Sequence, residues 1–294
     1  MFLIIHNPLS NNKKSKKTTS KIVSFFQKNN IDFILRSTLK IENLNDLLNT
    51  NLNVTDVLYC GGDGSINYLI NNVDMSAIKQ NIYLAQSGSG NDFLRSLRPI
   101  HTGTIAIGEA KTDQKTVRFI NGCGLGVDAA VCHFVNNDTK KNKLSYFINA
   151  FRAFSSFKPM TMNITVDGVT TSYPKAYFAA IQNGKYFGGG MKVAPSADPT
   201  TTKYQVIVAH HLNAFTVNAL FMTIYSGLHT KIKKYLTILE GSDIQLKIDS
   251  PRYFQTDGEV MENVSQVSVK AVTSRVLSAF NKAEFRKQFS QKLR

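Results

Sequence analysis

Tryptophan is absent from this 294-residue chain, cysteine occurs only three times, and acidic residues are outnumbered, 20 Asp and Glu against 35 Lys and Arg. Cys60, Cys123 and Cys132 are too few and too irregularly spaced for a disulfide framework or a zinc knuckle, so a reducing cytoplasm is the expected setting. No uninterrupted apolar run approaches the roughly 20 residues that cross a bilayer. The richest stretch, Val206 to Tyr225, is broken by His210, His211, Asn213 and Asn218 and reads as a strand leading into a buried helix. Met1 to Asn7 runs straight into Pro8 and a lysine-rich segment, which is not the pattern of a secretory leader.

What is present suffices for a packed core. An apolar share of 43%, with 19 Phe and 11 Tyr, excludes disorder, and at roughly 150 residues per domain the length predicts two domains or one large one. The formal charge of +15 predicts an anionic partner. Nucleic acid, nucleotide phosphates and an anionic membrane face all qualify, and a generally basic proteome is the bland alternative.

The first 115 residues or so alternate short apolar runs with helical spacing. Phe2 to His6, Phe33 to Leu35, Val57 to Tyr59 and Ile82 to Ala85 predict buried parallel strands; Thr18 to Gln27, Leu44 to Leu48 and Ile66 to Ile70 predict helices between them. This is the rhythm of an open α/β sheet. Beyond Lys115, Met162 to Val166, Ile244 to Ile248 and Val267 to Ala271 alternate apolar and polar residues, as half-exposed antiparallel strands do, with helices expected near Leu144 to Phe157 and Ala214 to Leu228. At the end, Phe285, Phe289 and Leu293 recur every four residues among Arg286, Lys287, Lys292 and Arg294, a basic amphipathic helix whose apolar stripe packs on the body or, alternatively, lies on a membrane.

The chemistry is written in the glycines. Gly61, Gly62 and Gly64, with Asp63 and Ser65, stand where an apolar strand passes into a helical pattern. Missing side chains there let backbone N–H groups approach an anion at the helix N-terminus; a plain turn with Ser65 as N-cap is the structural alternative. Asp63 among phosphate-cradling backbone would repel the ligand unless a divalent cation lay between, which suggests Mg2+. Gly88, Ser89, Gly90, Asn91 and Asp92 follow the next apolar run in the same way, and Asn7, Pro8 and Ser10 follow the first, so three polar turns share the carboxyl edge of one sheet. Asp92 reads equally as a loop-ordering carboxylate or a helix N-cap. Neither a Walker A loop nor the protein-kinase motif set is present, and Gly122-Cys-Gly124-Leu-Gly126 has the wrong spacing for a dinucleotide fingerprint. Asp257-Gly258 alone reads as a hairpin turn.

Taken in order, Asn7-Pro8, Gly61 to Ser65, Gly88 to Phe93, Gly188 to Pro195 and Asp257-Gly-Glu259 resemble the soluble diacylglycerol kinase-like lipid kinases. The glycine turn alone is shared with NAD kinases and phosphofructokinases; the combination is not. The resemblance implies a phosphofructokinase/NAD kinase-like α/β ATP-binding domain (1–115 with the helix 280–294) and a C-terminal β-sandwich domain (116–279). It further implies ATP against Asn7, Ser10, Thr38, Gly62 to Ser65 and Ser89, Asp63 holding magnesium through water, and Glu259 as general base. A carboxylate near the attacking hydroxyl suits phosphoryl transfer.

Two departures stand out. Thr201-Thr202 replace the family's Asp-Gly pair, removing a carboxylate from a structural metal site, and Asn11-Asn12 alter the first loop. Alternatives are a NAD or sugar kinase on a soluble acceptor and a nucleotide-binding pseudokinase; nucleic acid is not expected, for want of a recognition motif. Under the leading reading the positive charge serves reversible, peripheral contact with an anionic membrane holding the lipid substrate.

Overall fold

The computed structural model describes residues 1–10, 15–51, 53–88, 90–97, 102–138, 149, 152–213, 216–217, 220, 223–283 and 285. The chain forms two compact units, Met1–Ile105 with Thr273–Arg294, and Ala106–Val272.

In the first unit β1 (Phe2–His6), α1 (Ser15–Lys28), β2 (Phe33–Ser37), α2 (Leu44–Thr50), β3 (Asp56–Gly61), α3 (Asp63–Asn72), β4 (Asn81–Gln86) and α4 (Asp92–Ser96) follow in turn. The strands are parallel in the order β4-β3-β1-β2, and Leu277–Ala279 adds a further parallel strand beside β4. Continuous apolar composition puts β3 wholly in the interior. The 3.6-residue period of α1 turns Ile22, Phe25 and Phe26 onto the sheet. Phe285 joins them, its ring 5.2 Å from Phe2 and 5.3 Å from Tyr83, so at this residue the C-terminal stripe packs on the body as expected. Phe289 and Leu293 lie outside the described residues.

The second unit is β-rich. β5 (Thr102–Thr112) leads into it, followed by β6 (Thr116–Phe119), β7 (Gly122–Gly126), α5 (Val127–Asn137), β8 (Met160–Val166), β9 (Val169–Gln182), β10 (Tyr204–His210), β11 (Leu236–Gly241), β12 (Ile244–Thr256) and β13 (Glu259–Ala279). Antiparallel pairing runs β11-β10-β9, then β7 and β8 in succession along the gap between β9 and β12, then β13. Period-two alternation sends Met160, Met162 and Ile164 inward to meet Val206, Leu246 and Val267 in one core. Helix α5 escapes the sequence reading, which placed helices only near Leu144 to Phe157 and Ala214 to Leu228. Of those two segments the described residues 149, 152–156, 216–217, 220 and 223–224 are helical, and 225–227 form a turn.

Candidate active site

Four strand ends of the first unit build one cleft of about 580 Å³, lined by Asn7, Ser10, Thr38, Gly62, Asp63, Gly64, Ser65, Gly88 and Gly90, with Tyr59 and Tyr68 completing its wall. Parallel strands deliver their loops to the same edge, which is why motifs so far apart in sequence meet. Asn7 shapes its own loop by accepting the Leu9 N–H on its side chain (3.0 Å) while its carbonyl accepts the Ser15 hydroxyl (2.8 Å). Thr38 opens a short 3₁₀ turn beside β2.

The glycines divide into two kinds. A side chain on Gly88 would collide with Gly62 backbone, and one on Gly62 would lie 2.8 Å from the Gly88 Cα, so these two exist because two loops touch. Gly64 has nothing within 4 Å of where a Cβ would stand and faces open cleft. Helix α3 starts at Asp63 with Gly62 as N-cap and no side-chain cap, so the Ser65 N-cap alternative is set aside. Of its first N–H groups, those of Asp63 and Ser65 donate to the Gly90 (3.2 Å) and Gly62 (3.0 Å) carbonyls, so the Gly64 N–H and the positive end of the helix dipole are what it offers an anion.

Asp63 splices the loops together. Its two carboxylate oxygens accept the backbone N–H groups of Asp92 (2.9 Å) and Phe93 (3.0 Å), while its own N–H donates to the Gly90 carbonyl (3.2 Å). The carboxylate capping α4 is therefore Asp63; Asp92 is the first residue of that helix and is buried. The Asn91 amide donates to the Gly88 carbonyl (2.8 Å) and closes the second loop. Pro8 lies in the loop after β1, Gly61 is the last residue of β3, and Ser89 lies outside the described residues. Cys60 is fully buried, and burial pushes its thiol up to about 12.

The second unit carries the other group. Asp257 (φ 48°) and Gly258 (φ 94°) form the two-residue turn between β12 and β13, and Glu259 is the exposed first residue of β13. The turn is more than a connection: the Asp257 carboxylate accepts the N–H groups of Ile120 (2.9 Å), Asn121 (2.9 Å) and Gly122 (3.1 Å). Gln255 accepts the Gly258 N–H (3.0 Å) and donates to Asp128 (3.4 Å). Sequence reasoning missed Asp128. Burial pushes its carboxyl up to about 6, against the pull of Gln255 and of backbone N–H groups. The missed signal was the Gly122-x-Gly124-x-Gly126 spacing, dismissed above as a failed dinucleotide motif. In a strand it strips one face of side chains, and a Cβ on Gly124 would collide with the Asp128 carboxylate.

Asp128 also lines an apolar cavity of about 80 Å³ in this unit, walled by Phe154, Phe178, Met191, Val193, Ile207 and Leu220 among others. At the departure noted above, Asp198 is occupied locally, accepting the Thr200 N–H (3.0 Å) and hydroxyl (2.7 Å).

Comparison with known proteins covers both units. Residues 1–121 match the diacylglycerol kinase catalytic domain, and residues 122–278 match the YegS C-terminal NAD kinase beta sandwich-like domain. The chain is 24% identical to YtlR of Bacillus subtilis (strain 168), named as a candidate lipid kinase, over 70% of this chain and 74% of that one. It is 23% identical to a diacylglycerol kinase of Mycobacterium tuberculosis, over 62% and 63% of the two chains. A crystal structure of a candidate diacylglycerol kinase from Bacillus anthracis superposes with a TM-score of 0.72 at 19% identity, covering 96% of this chain and 97% of that one; at that identity the likeness concerns the fold.

Proposed function

The chain belongs to the diacylglycerol kinase-like lipid kinases, and from that premise we propose that it uses ATP and magnesium to phosphorylate a hydroxyl of diacylglycerol or a related membrane lipid, with Glu259 as general base. The observation that carries the nucleotide half is the cleft where the uncapped N-terminus of α3 and open Gly64 meet the loops joined by Asp63. The Gly64 N–H and the positive end of the α3 dipole there hold the phosphates and fix their orientation.

Magnesium keeps several waters and is held by one or two carboxylates together with substrate phosphates. The donor set fits that habit: Asp63 faces the cleft, and among the described residues no group of three His, Cys, Asp or Glu forms an all-protein cage. Bound beside Asp63, the ion would neutralise charge on the β- and γ-phosphate oxygens. The acceptor oxygen bonds to the γ-phosphorus, the bond to the departing ADP oxygen breaks, and Glu259 takes the hydroxyl proton. Asp257 and Gln255 serve as positioning residues, since they fix the turn that carries Glu259.

The test is phosphate transfer from labelled ATP to a lipid extract and, side by side, to NAD and sugars. Lipid should be labelled and the product identified by mass spectrometry. Labelling of a soluble acceptor alone, or nucleotide binding without turnover on any acceptor, overturns the proposal.

A further inference from the structure

The segment Tyr225–Tyr235 of the second unit has two faces. Inward, His229 and Leu236 just beyond it line the apolar cavity together with Ile224. Outward, Tyr225 and Leu228 are 51% and 49% exposed, and Lys231, Lys233 and Lys234 point to solvent. From Pro199 to Leu239 the sequence contains no Asp or Glu, and among the described residues no carboxylate pairs with these three lysines. The segment is pinned in place: the Lys192 N–H donates to the Ile224 carbonyl (3.1 Å), and His229 Nε2 lies 2.9 Å from the Val193 carbonyl oxygen. Gly227 turns at φ 79°, with Pro195 so close that a Cβ would stand 2.9 Å from its ring. The Gly188 to Pro195 motif therefore buttresses an exposed apolar and cationic edge.

We propose that Tyr225–Tyr235 is the docking edge on an anionic bilayer, with Leu228 and Tyr225 entering the headgroup region and Lys231, Lys233 and Lys234 meeting lipid phosphates. The Lys234 ammonium lies 5.4 Å from the centre of the Tyr235 ring, and exposed apolar side chains ringed by lysines without carboxylate partners match an interface that is apolar inside and negative at its surface. Docking in this pose sets the apolar cavity directly behind the surface that holds the acceptor. The proposal rests on the lipid-kinase reading for its choice of partner, while its test needs no turnover.

Because the chain lacks tryptophan, one introduced indole reports a single position. Leu228→Trp in the full chain should shift its emission to the blue and be quenched by brominated acyl chains on phosphatidylglycerol vesicles, with neither effect on pure phosphatidylcholine. Val169→Trp, at the 72% exposed first residue of β9 in the same unit, should stay silent. Replacing Lys231, Lys233 and Lys234 by Ala should weaken sedimentation with anionic vesicles about 100-fold, at roughly a factor of five per lysine. Replacing the exposed Lys111, Lys115 and Lys247 should change it less than threefold, within the reach of general charge. A silent Leu228→Trp, or equal losses in the two lysine triples, overturns the docking edge. A chain that docks as described yet phosphorylates no lipid overturns the function and leaves the edge standing; one that phosphorylates lipid with Leu228→Trp silent does the reverse.

Discussion

The two units meet their ligand spaces with opposite materials. The cleft of the first unit is lined largely by loop residues, glycine backbone and small polar side chains; the cavity of the second is lined by apolar side chains, with Asp128 and His229 as its polar members. A phosphate is met by main-chain N–H groups, which need glycine and a helix start within a few residues of each other. An apolar pocket can be walled by residues from anywhere that point inward, here spread from Asp128 to Leu236. One kind of site is therefore local in the sequence and the other is not.

The largest expected effect tests whether proton removal belongs to the second unit and phosphate holding to the first. Glu259→Gln should lower kcat on lipid by about 10²- to 10⁴-fold and leave the KM for ATP unchanged, with stability altered by no more than about 0.5 kcal/mol because the side chain is exposed. Steady-state kinetics with varied ATP settles it: a raised KM with preserved kcat would move Glu259 into nucleotide binding.

Asp128 offers the contrast of a buried carboxylate in the same unit as the exposed Glu259. Its folded pKa, about 6, lies above the ordinary value of 3.8. Between those pH values the native chain keeps a proton that the unfolded chain has released, so raising pH removes stability, and the loss is complete above the folded pKa. Asp128→Asn carries no such charge. Urea melts should show the variant and the wild type nearly equal at pH 4 and the variant ahead by about 3 kcal/mol at pH 8. A constant difference across that range would mean that the carboxyl ionises freely in the fold.

Legibility follows the same division. Strands β1 to β4 were readable because each is a short apolar run followed by a polar turn, and the loops carrying Asn7, Thr38, Gly62, Asp63, Gly64, Ser65 and Gly88 do line one cleft. The chemistry of those glycines was only half readable. Spacing showed that side chains were missing, while the contact between Gly62 and Gly88 depends on two loops some 25 residues apart in the chain. Asp128 was invisible because its character comes from Gln255, more than a hundred residues away, and from burial. Helix α5 was missed because the glycines of β7 mask the strand before it, leaving no alternation from which to place a boundary.

Two glycines two positions apart should respond with opposite signs. Gly62→Ala drives a methyl into the second loop and should cost about 1–3 kcal/mol. Gly64→Ala sits in open space inside α3 with no positive φ, so it should stabilise by about 0.4–1 kcal/mol while raising the KM for ATP, because the methyl occupies the approach of a phosphate. Thermal melts of both variants, paired with ATP kinetics for Gly64→Ala, provide the measurement. A Gly64→Ala enzyme with unchanged KM would show that the phosphates lie elsewhere in the cleft.

At Asp63 a structural and an electrostatic role meet in one carboxylate. Asp63→Asn keeps one acceptor oxygen for the start of α4 and turns an amide toward the N–H that the other oxygen served, a loss of about 1 kcal/mol, as for an impaired helix cap. A carboxylate that only splices loops predicts a fall in turnover of less than tenfold, in proportion to that loosening. One that also holds magnesium with the nucleotide predicts a fall beyond about 100-fold, as expected when charge stabilisation of the transferring phosphoryl is lost. It also predicts a raised magnesium requirement at saturating ATP. Melting and a magnesium titration on the same preparation separate the two, because the structural role moves the melt alone and the electrostatic role moves the titration.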